Sequence, residues 1–159
     1  MKVRQGELRD IPVLTGLFIT LLDQLKDYGQ WLLSDNPVEI ENGVVAFLLF
    51  KMHTEENVVF VSVNEDDRPI GFLVGWILNY HSFYQHQRVN ELQFLYPLSF
   101  ESAPYLLDEF KKWGMALGAT AESNYATPEN EPSIRCMVRD GRRLSCLHFC
   151  KPYEVESYE

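Results

Sequence analysis

The sequence predicts one α+β domain over residues 1–159, with a mainly antiparallel sheet that carries helices on both faces. The hydrophobic pattern changes period along the chain in the order β, α, α, β, β, β, α, β, α, β. Three of the strands are consecutive and joined by short segments, which favours an antiparallel meander. The chain has 159 residues, of which 46% are hydrophobic, so it is long enough to bury a core as a single domain.

The first part of the chain predicts one strand and two helices. Residues 3–8 form the strand, and Asp10 is expected to cap a helix whose apolar residues recur at helical spacing over residues 11–25. Asn36 and Pro37 mark the second helix, because a capping residue followed by proline is a typical helix start. The second helix is expected to carry its apolar side chains at Val38, Val45, Leu48, Leu49 and Met52.

The meander and two further helices follow. Residues 58–63, 70–80 and 89–96 have the apolar, β-branched character of strands. A helix is expected over residues 103–117, with Gly118 placed to end it. The last elements are a weak, polar strand over 120–127, a short helix over 132–139 closed by Gly141, and a final strand over 144–149.

The charge balance limits the partners of this surface. The chain has 14 Lys and Arg against 23 Asp and Glu, a net charge of −9. Nucleic acid is excluded as a partner, because affinity for phosphates requires basic side chains. A small-molecule amine or a basic protein substrate is compatible with the acidic surface. The apolar helices and the final strand are also compatible with a homodimer, although they do not require one.

The cysteines and the apolar runs of the sequence indicate the compartment of the protein and its metal content. Cys136, Cys146 and Cys150 cannot all pair within one chain, which indicates a reducing compartment. The amino terminus has no apolar signal-peptide segment, and no apolar run approaches the ~20 residues that span a bilayer, so a cytoplasmic protein without a membrane segment is expected. Cys146, His148 and Cys150 lie at alternate positions ~6.5 Å apart along one strand, so two of them could share a zinc ion but all three cannot reach it, and no metal is expected.

Three segments resemble the GNAT superfamily of N-acetyltransferases. The first strand and helix of that family are similar to VRQGELRDIPVLTGLF, and its hairpin strand is similar to RPIGFLVGWIL. The family's cofactor motif, a strand, a loop and a helix ending in Ala-x-x-Gly, resembles ELQFLYPLSF and the later LLDEFKKWGMALGA. The resemblance covers nearly the whole chain. It implies a GNAT-like acyltransferase fold, acetyl-CoA as cofactor, and direct transfer of the acetyl group from the thioester to an amine.

The resemblance also assigns cofactor-binding positions. A backbone N–H near Phe94, Leu95 or Tyr96, at the end of the fourth strand, is expected to polarise the thioester carbonyl. The pyrophosphate is expected at the start of the following helix, where unpaired N–H groups and the helix dipole favour an anion. The residues that remain able to hold it there are Ser99, Ser102 and Ala103.

Departures from the family pattern leave a second function open. The loop over 98–104 contains no glycine, Phe100 replaces the expected Gln or Arg, and Glu101 adds a negative charge near the expected phosphates. Met137 occupies the position of the tyrosine that often acts as general acid in the family. These changes fit a GNAT-fold protein without catalytic activity that acts as a binding, assembly or regulatory component.

Two residues are candidates for the catalytic groups. Glu91, in the fourth strand, matches the position of a general base in many GNAT enzymes; the alternative is a solvated carboxylate at a strand entrance. Tyr125 could replace the missing acid, and the alternative is a half-buried packing tyrosine. Trp76 is expected to be a core or interface residue.

Overall fold

A computed structural model describes residues 2–27, 34, 36–82, 85–97, 99, 102–126 and 129–143. Within these residues the strands are β1 (Lys2–Gln5), β2 (Asn57–Val63), β3 (Pro69–Asn79), β4 (Arg88–Tyr96) and β5 (Ala121–Asn124). The helices are α1 (Ile11–Asp27), α2 (Pro37–Met52), α3 (Ala103–Ala116) and α4 (Glu131–Arg139). A 3-10 turn, Leu8–Asp10, leads directly into α1.

The strands form one sheet in the order β1-β2-β3-β4-β5. The first three pairs are antiparallel, and β4 pairs with β5 in parallel. The register of β3 on β4 shifts by one residue between Val74 opposite Phe94 and Gly75 opposite Leu92, so Gln93 is the extra residue of a bulge. The mainly antiparallel sheet expected from the sequence is confirmed.

Helices cover both faces of the sheet, as the sequence predicts. Because side chains alternate along a strand, β2 directs Val59 and Val61 to one face and Val58 to the other. The first face packs against α1 and α2 in a core that includes Leu14, Phe18, Val44, Leu48, Phe72 and Val74. The second face packs against α3 and α4 in a core that includes Leu73, Leu92, Leu106, Phe110 and Met137.

Helix α3 approaches the sheet closely at two points. At each point a glycine, on β3 or on α3 itself, leaves room for the side chain opposite it. A Cβ atom on Gly75 of β3 would collide with the ring of Phe110. One turn further along α3, a Cβ atom on Gly114 would collide with the side chain of Asn90 on β4. The buried Asn90 amide donates to the carbonyl oxygen of Phe110 at 2.8 Å. These contacts fix both the distance and the rotation of α3 relative to β4.

Several local signals in the sequence act as expected. The Asn36 side chain accepts a hydrogen bond from the N–H of Val38 at 3.1 Å and so caps α2, with Pro37 in the first turn. Gly118 and Gly141 adopt φ angles of 85° and 86° at the ends of α3 and α4, a region in which glycine avoids the strain of other residues.

The start of the chain differs from the expectation. The first strand ends at Gln5, and Asp10 is the last residue of the 3-10 turn, where it forms a capping box with Glu7 rather than standing as the first cap of α1. Its carboxylate instead accepts two hydrogen bonds from Arg4, at 2.7 and 3.0 Å, and one from the N–H of Glu7 at 2.8 Å. The Asp10 side chain is buried, and its ion pair with Arg4 fixes the turn between β1 and α1.

The buried face of α2 and the length of β5 are also corrected. Val44, Leu48 and Lys51 are the buried residues of α2, whereas Val38 and Leu49 are exposed. Strand β5 is limited to residues 121–124. The expected final strand over 144–149 lies outside the described residues. No described helix combines the length and apolar character needed to cross a membrane.

Candidate active site

The two strands at the edge of the sheet separate part of the way along β4. They pair in parallel from Val89 opposite Ala121 to Leu92 opposite Asn124. Strand β4 continues to Tyr96, so its last residues have no strand beside them on this edge within the described residues. Backbone N–H and C=O groups on an open strand edge are available to bind a ligand. Phe94, Leu95 and Tyr96, the residues expected to contact the thioester, all lie on this open part of β4.

Glu91 lies two residues before this opening and is 4% exposed. The indole N–H of Trp76, opposite it on β3, donates to Oε1 at 2.8 Å. On the other side, the hydroxyl of Ser123 lies 3.4 Å from Oε2. A solvated carboxylate at a strand entrance is therefore not what the structure contains. The carboxylate is buried and oriented by both neighbouring strands.

Lys51 lies over the face of the same indole ring. Its ammonium is 3.8 Å from the centroid of the Trp76 ring, a cation–π contact, and donates to Oδ1 of Asn57 at 2.8 Å. The side chain of Lys51 is almost fully buried. Burial lowers the pKa of Lys51 to about 8, and the negative charge of Glu91 acts in the opposite direction. Trp76 therefore lies between a cation above its ring and a carboxylate at its edge.

Lys51 is a functional residue that the sequence pattern alone does not assign to the site. The signal was present in its spacing, because Lys51 follows Leu48 by three residues and Val44 by seven, on the same helix face. Trp76, expected only to fill the core or an interface, also holds the carboxylate of Glu91.

The start of α3 places the residues expected to bind the pyrophosphate. Ser99 is exposed, whereas Ser102 and Ala103 are buried. The Ser102 hydroxyl donates to the carbonyl oxygen of Ser99 at 2.7 Å and accepts from its N–H at 3.0 Å, so it is committed to this turn. What remains is the set of backbone N–H groups in the first turn of α3, from which Pro104 is missing because proline has no N–H. Phe100 and Glu101 lie outside the described residues.

One further polar atom lies at the point where the strands separate. Oε1 of Gln93, the bulged residue, is buried and has no hydrogen-bond partner within the described part of the chain. A buried acceptor without a partner is costly, so a donor supplied by a ligand would satisfy it. An arm containing amide N–H groups, such as that of CoA, fits this acceptor and the open edge of β4.

The candidates for the general acid occupy different environments. Tyr125 follows the last residue of β5 and is 60% exposed, so it is not the half-buried packing tyrosine considered as its alternative role. Met137 is buried in the core beneath α3.

No group of three His, Cys, Asp or Glu side chains suited to a metal ion is found among the described residues, which do not include Cys146, His148 or Cys150.

A pocket of about 290 Å³ lies next to this site on the α1 and α2 face of the sheet. Its floor is Phe94 of β4, and its walls come from α1 and α2. The ring of Phe94 lies 4.8 Å from that of Phe18 and 5.8 Å from that of Phe47, centroid to centroid. The other lining residues are Leu22, Ser34, Glu39, Ile40, Gly43 and Val44.

Solved acetyltransferase structures share this architecture. One described as a probable acetyltransferase has a TM-score of 0.73 and 20% identity, covering 98% of this chain and 100% of its own. The aminoglycoside N-acetyltransferase AAC(6')-Iy in complex with CoA has a TM-score of 0.73 and 16% identity, covering 97% and 95%. An aminoglycoside 6'-N-acetyltransferase from Acinetobacter haemolyticus has a TM-score of 0.72 and 14% identity, covering 97% and 100%.

Comparisons of sequence alone give no relative. No protein-family model matches the chain, and no curated protein is significantly similar to it. At identities of 14–20% the structural likeness establishes the fold. The chain therefore has the fold of the GNAT N-acetyltransferases, as the resemblance of its three sequence segments implied.

Proposed function

We propose that this protein transfers an acetyl group from acetyl-CoA to an amine. The observation that carries the proposal is the position of Glu91, a buried and oriented carboxylate two residues before β4 separates from β5. A proton acceptor next to backbone groups that are open to a ligand suits the acylation of an amine, in which the amine must lose a proton. The CoA bound to one of the structural neighbours supports the same ligand class.

Acetyl-CoA would supply the activated thioester. The groups suited to hold it are the open edge of β4, the first turn of α3, and Oε1 of Gln93, which has no hydrogen-bond partner among the described residues. On this proposal an N–H group near Leu95 orients and polarises the carbonyl oxygen. The helix dipole and the free N–H groups of α3 favour the negative phosphates, even without glycines in the preceding loop.

Glu91 would take the proton from the amine. One of its oxygen atoms accepts from Trp76, and each carboxylate oxygen can accept more than one hydrogen bond, so acceptor capacity remains for the substrate. Trp76 is itself held by Lys51, which keeps the indole N–H aimed at Oε1. Tyr125, exposed at the end of β5, stays the candidate for protonating the leaving thiolate.

The alternative is a GNAT-fold protein that binds a partner without catalysis. It is favoured by the Ser102 hydroxyl, which is turned back onto Ser99, and by Met137, which is buried where the family often has its acid. On this alternative the glycine-free loop no longer holds CoA.

Titration with CoA and acetyl-CoA separates the two functions. A single site filled to ~100 times its Kd stabilises the folded protein by ~2.7 kcal/mol, which a thermal melt detects. Binding supports the enzyme, and the absence of any shift at millimolar CoA supports the alternative.

Glu91→Gln then tests the base. Glutamine retains the shape and can still accept from Trp76, but it cannot take up the proton, so turnover should fall by at least about tenfold while CoA binding is unchanged. The matched control is Glu65→Gln, at an exposed glutamate in the turn between β2 and β3. An unchanged rate in Glu91→Gln would remove Glu91 as the base.

A further inference from the structure

The apolar pocket on the same face of the sheet as Glu91 points to the class of amine. We infer that the acceptor is a primary amine carrying an apolar ring on a short linker, and that the ring occupies the pocket between α1 and α2. This inference rests on the proposed function, because it concerns the second substrate of the same site. It is carried by the lining, the size and the position of the pocket.

The part of the lining that the structure describes is mostly apolar. Three phenylalanine rings meet there, and the centroids of Phe18 and Phe47 are 5.6 Å apart in an edge-to-face arrangement. Aromatic side chains pack favourably on a further ring in this edge-on or offset manner. The remaining apolar walls are Leu22, Ile40 and Val44.

The size of the pocket is compatible with one ring. An enclosed apolar cavity of ~150 Å³ holds benzene, so this open pocket of about 290 Å³ is large enough to take one ring. A larger acceptor would have to extend out of the pocket.

The position puts the amine near the base. Glu91 lies opposite Trp76 and Phe94 lies opposite Val74, and those two β3 residues are separated by one residue. Side chains at alternate strand positions point to the same face and are about 6.5 Å apart. A ring stacked over Phe94 with a two-carbon linker therefore brings its nitrogen towards Glu91.

The polar groups of the pocket argue against a polyhydroxylated acceptor. Ser34 and Glu39 are the polar side chains of its described lining. The Glu39 carboxylate already accepts from the Ser34 hydroxyl at 2.9 Å and from the Asn36 amide at 3.1 Å. Sugar hydroxyls buried here would lose hydrogen bonds to water without replacement. The negative charge of Glu39 in the lining still favours the approach of an ammonium group.

A comparison of three amines tests the inference. The probes are 2-phenylethylamine, ethanolamine, which keeps the two-carbon linker but replaces the ring with a hydroxyl, and an aminoglycoside. Burial of the ring should raise kcat/KM for 2-phenylethylamine at least about thirtyfold above that for ethanolamine. If CoA binds but kcat/KM for ethanolamine or for the aminoglycoside equals or exceeds that for 2-phenylethylamine, the inference is overturned and the proposed function stands.

Gly43→Leu blocks the pocket. Gly43 lines it, and a Cβ atom added at this position meets nothing within 4 Å, so the side chain can enter the pocket without disturbing α2. We expect kcat/KM for 2-phenylethylamine to fall at least tenfold and that for ethanolamine to change little. Gly16→Leu is the matched control, since Gly16 is also a helical glycine with open space at its Cβ but does not line the pocket.

Binding measured without CoA keeps the inference independent of turnover. Calorimetric titration of 2-phenylethylamine into the protein alone should show binding that Gly43→Leu removes and Gly16→Leu retains. Failure of CoA to bind would refute the proposed function, while this titration would still decide whether the pocket takes the ring. No binding of 2-phenylethylamine, or equal binding to the Gly43→Leu variant, refutes the inference.

Discussion

Lys51 provides the most direct test of the charges at the site. Its ammonium is buried between α2 and the sheet, which lowers its pKa to about 8 from the ordinary value of 10.5. The perturbation is Lys51→Met, which keeps an unbranched apolar chain of similar length but removes the charge. The variant loses the cation–π contact with Trp76 and the hydrogen bond to Asn57, while it no longer buries an ammonium group.

The pH dependence isolates the buried charge from these other changes. Between about pH 8 and pH 10.5 the unfolded chain binds a proton at Lys51 that the folded chain does not, so the free energy of unfolding rises with pH over this window. From pH 7 to about pH 9.5 the gain is about 2 kcal/mol, since one pKa unit corresponds to about 1.4 kcal/mol. Lys51→Met lacks this gain.

Urea unfolding of both proteins at the two pH values measures the effect. All other titrating groups are common to the two proteins. The change with pH in the difference between their free energies of unfolding therefore reports the titration of Lys51. Between the two pH values, the free energy of unfolding of the wild-type protein should rise by about 2 kcal/mol more than that of the variant. A change smaller than about 0.5 kcal/mol, within the error of the extrapolation, would refute the burial of a charged lysine against Trp76.

Two further substitutions test the packing and the start of the fold. Gly75→Ala should destabilise by about 2 kcal/mol or more in urea unfolding, because the new methyl group meets the Phe110 ring and lies 2.8 Å from the carbonyl oxygen of Glu91; Gly16→Ala, with open space at its Cβ, should not. Asp10→Asn should cost about 2 kcal/mol at neutral pH, because it removes the charge that the Arg4 guanidinium pairs with, while Asp67 still pairs with Arg4. The Arg4 guanidinium helps to hold the pKa of Asp10 below its ordinary value against the opposing effect of burial, so this cost should shrink as the pH falls below about 4; a cost independent of pH would contradict the pairing.

The order of elements could be predicted because each has a local signal. The apolar period identifies α1 and β2, and Asn36 with Pro37 identifies the start of α2. Gly118 and Gly141 mark helix ends because both require a positive φ. Such signals depend on residues close together in the chain, and the structure confirms them.

The details of the site could not be predicted in the same way. Apolar residues surround α2 on all sides, so the pattern does not decide which face is buried, and Lys51 was assigned no role. The hydrogen bond from Trp76 to Glu91 depends on the register of β3 on β4, which the bulge at Gln93 sets. The partner of Asp10 was likewise missed, because β1 and the following turn bring Arg4 next to it only after folding.

The close contacts of α3 determine where the chain tolerates insertions and deletions. One residue added or removed between Phe110 and Gly114 would rotate the second half of the helix by about 100° and carry Gly114 away from Asn90. Length changes before residue 103 would leave that register intact. The segment preceding α3 should therefore tolerate insertions and deletions without loss of the packing of the helix. Insertion scanning should find its tolerated sites there.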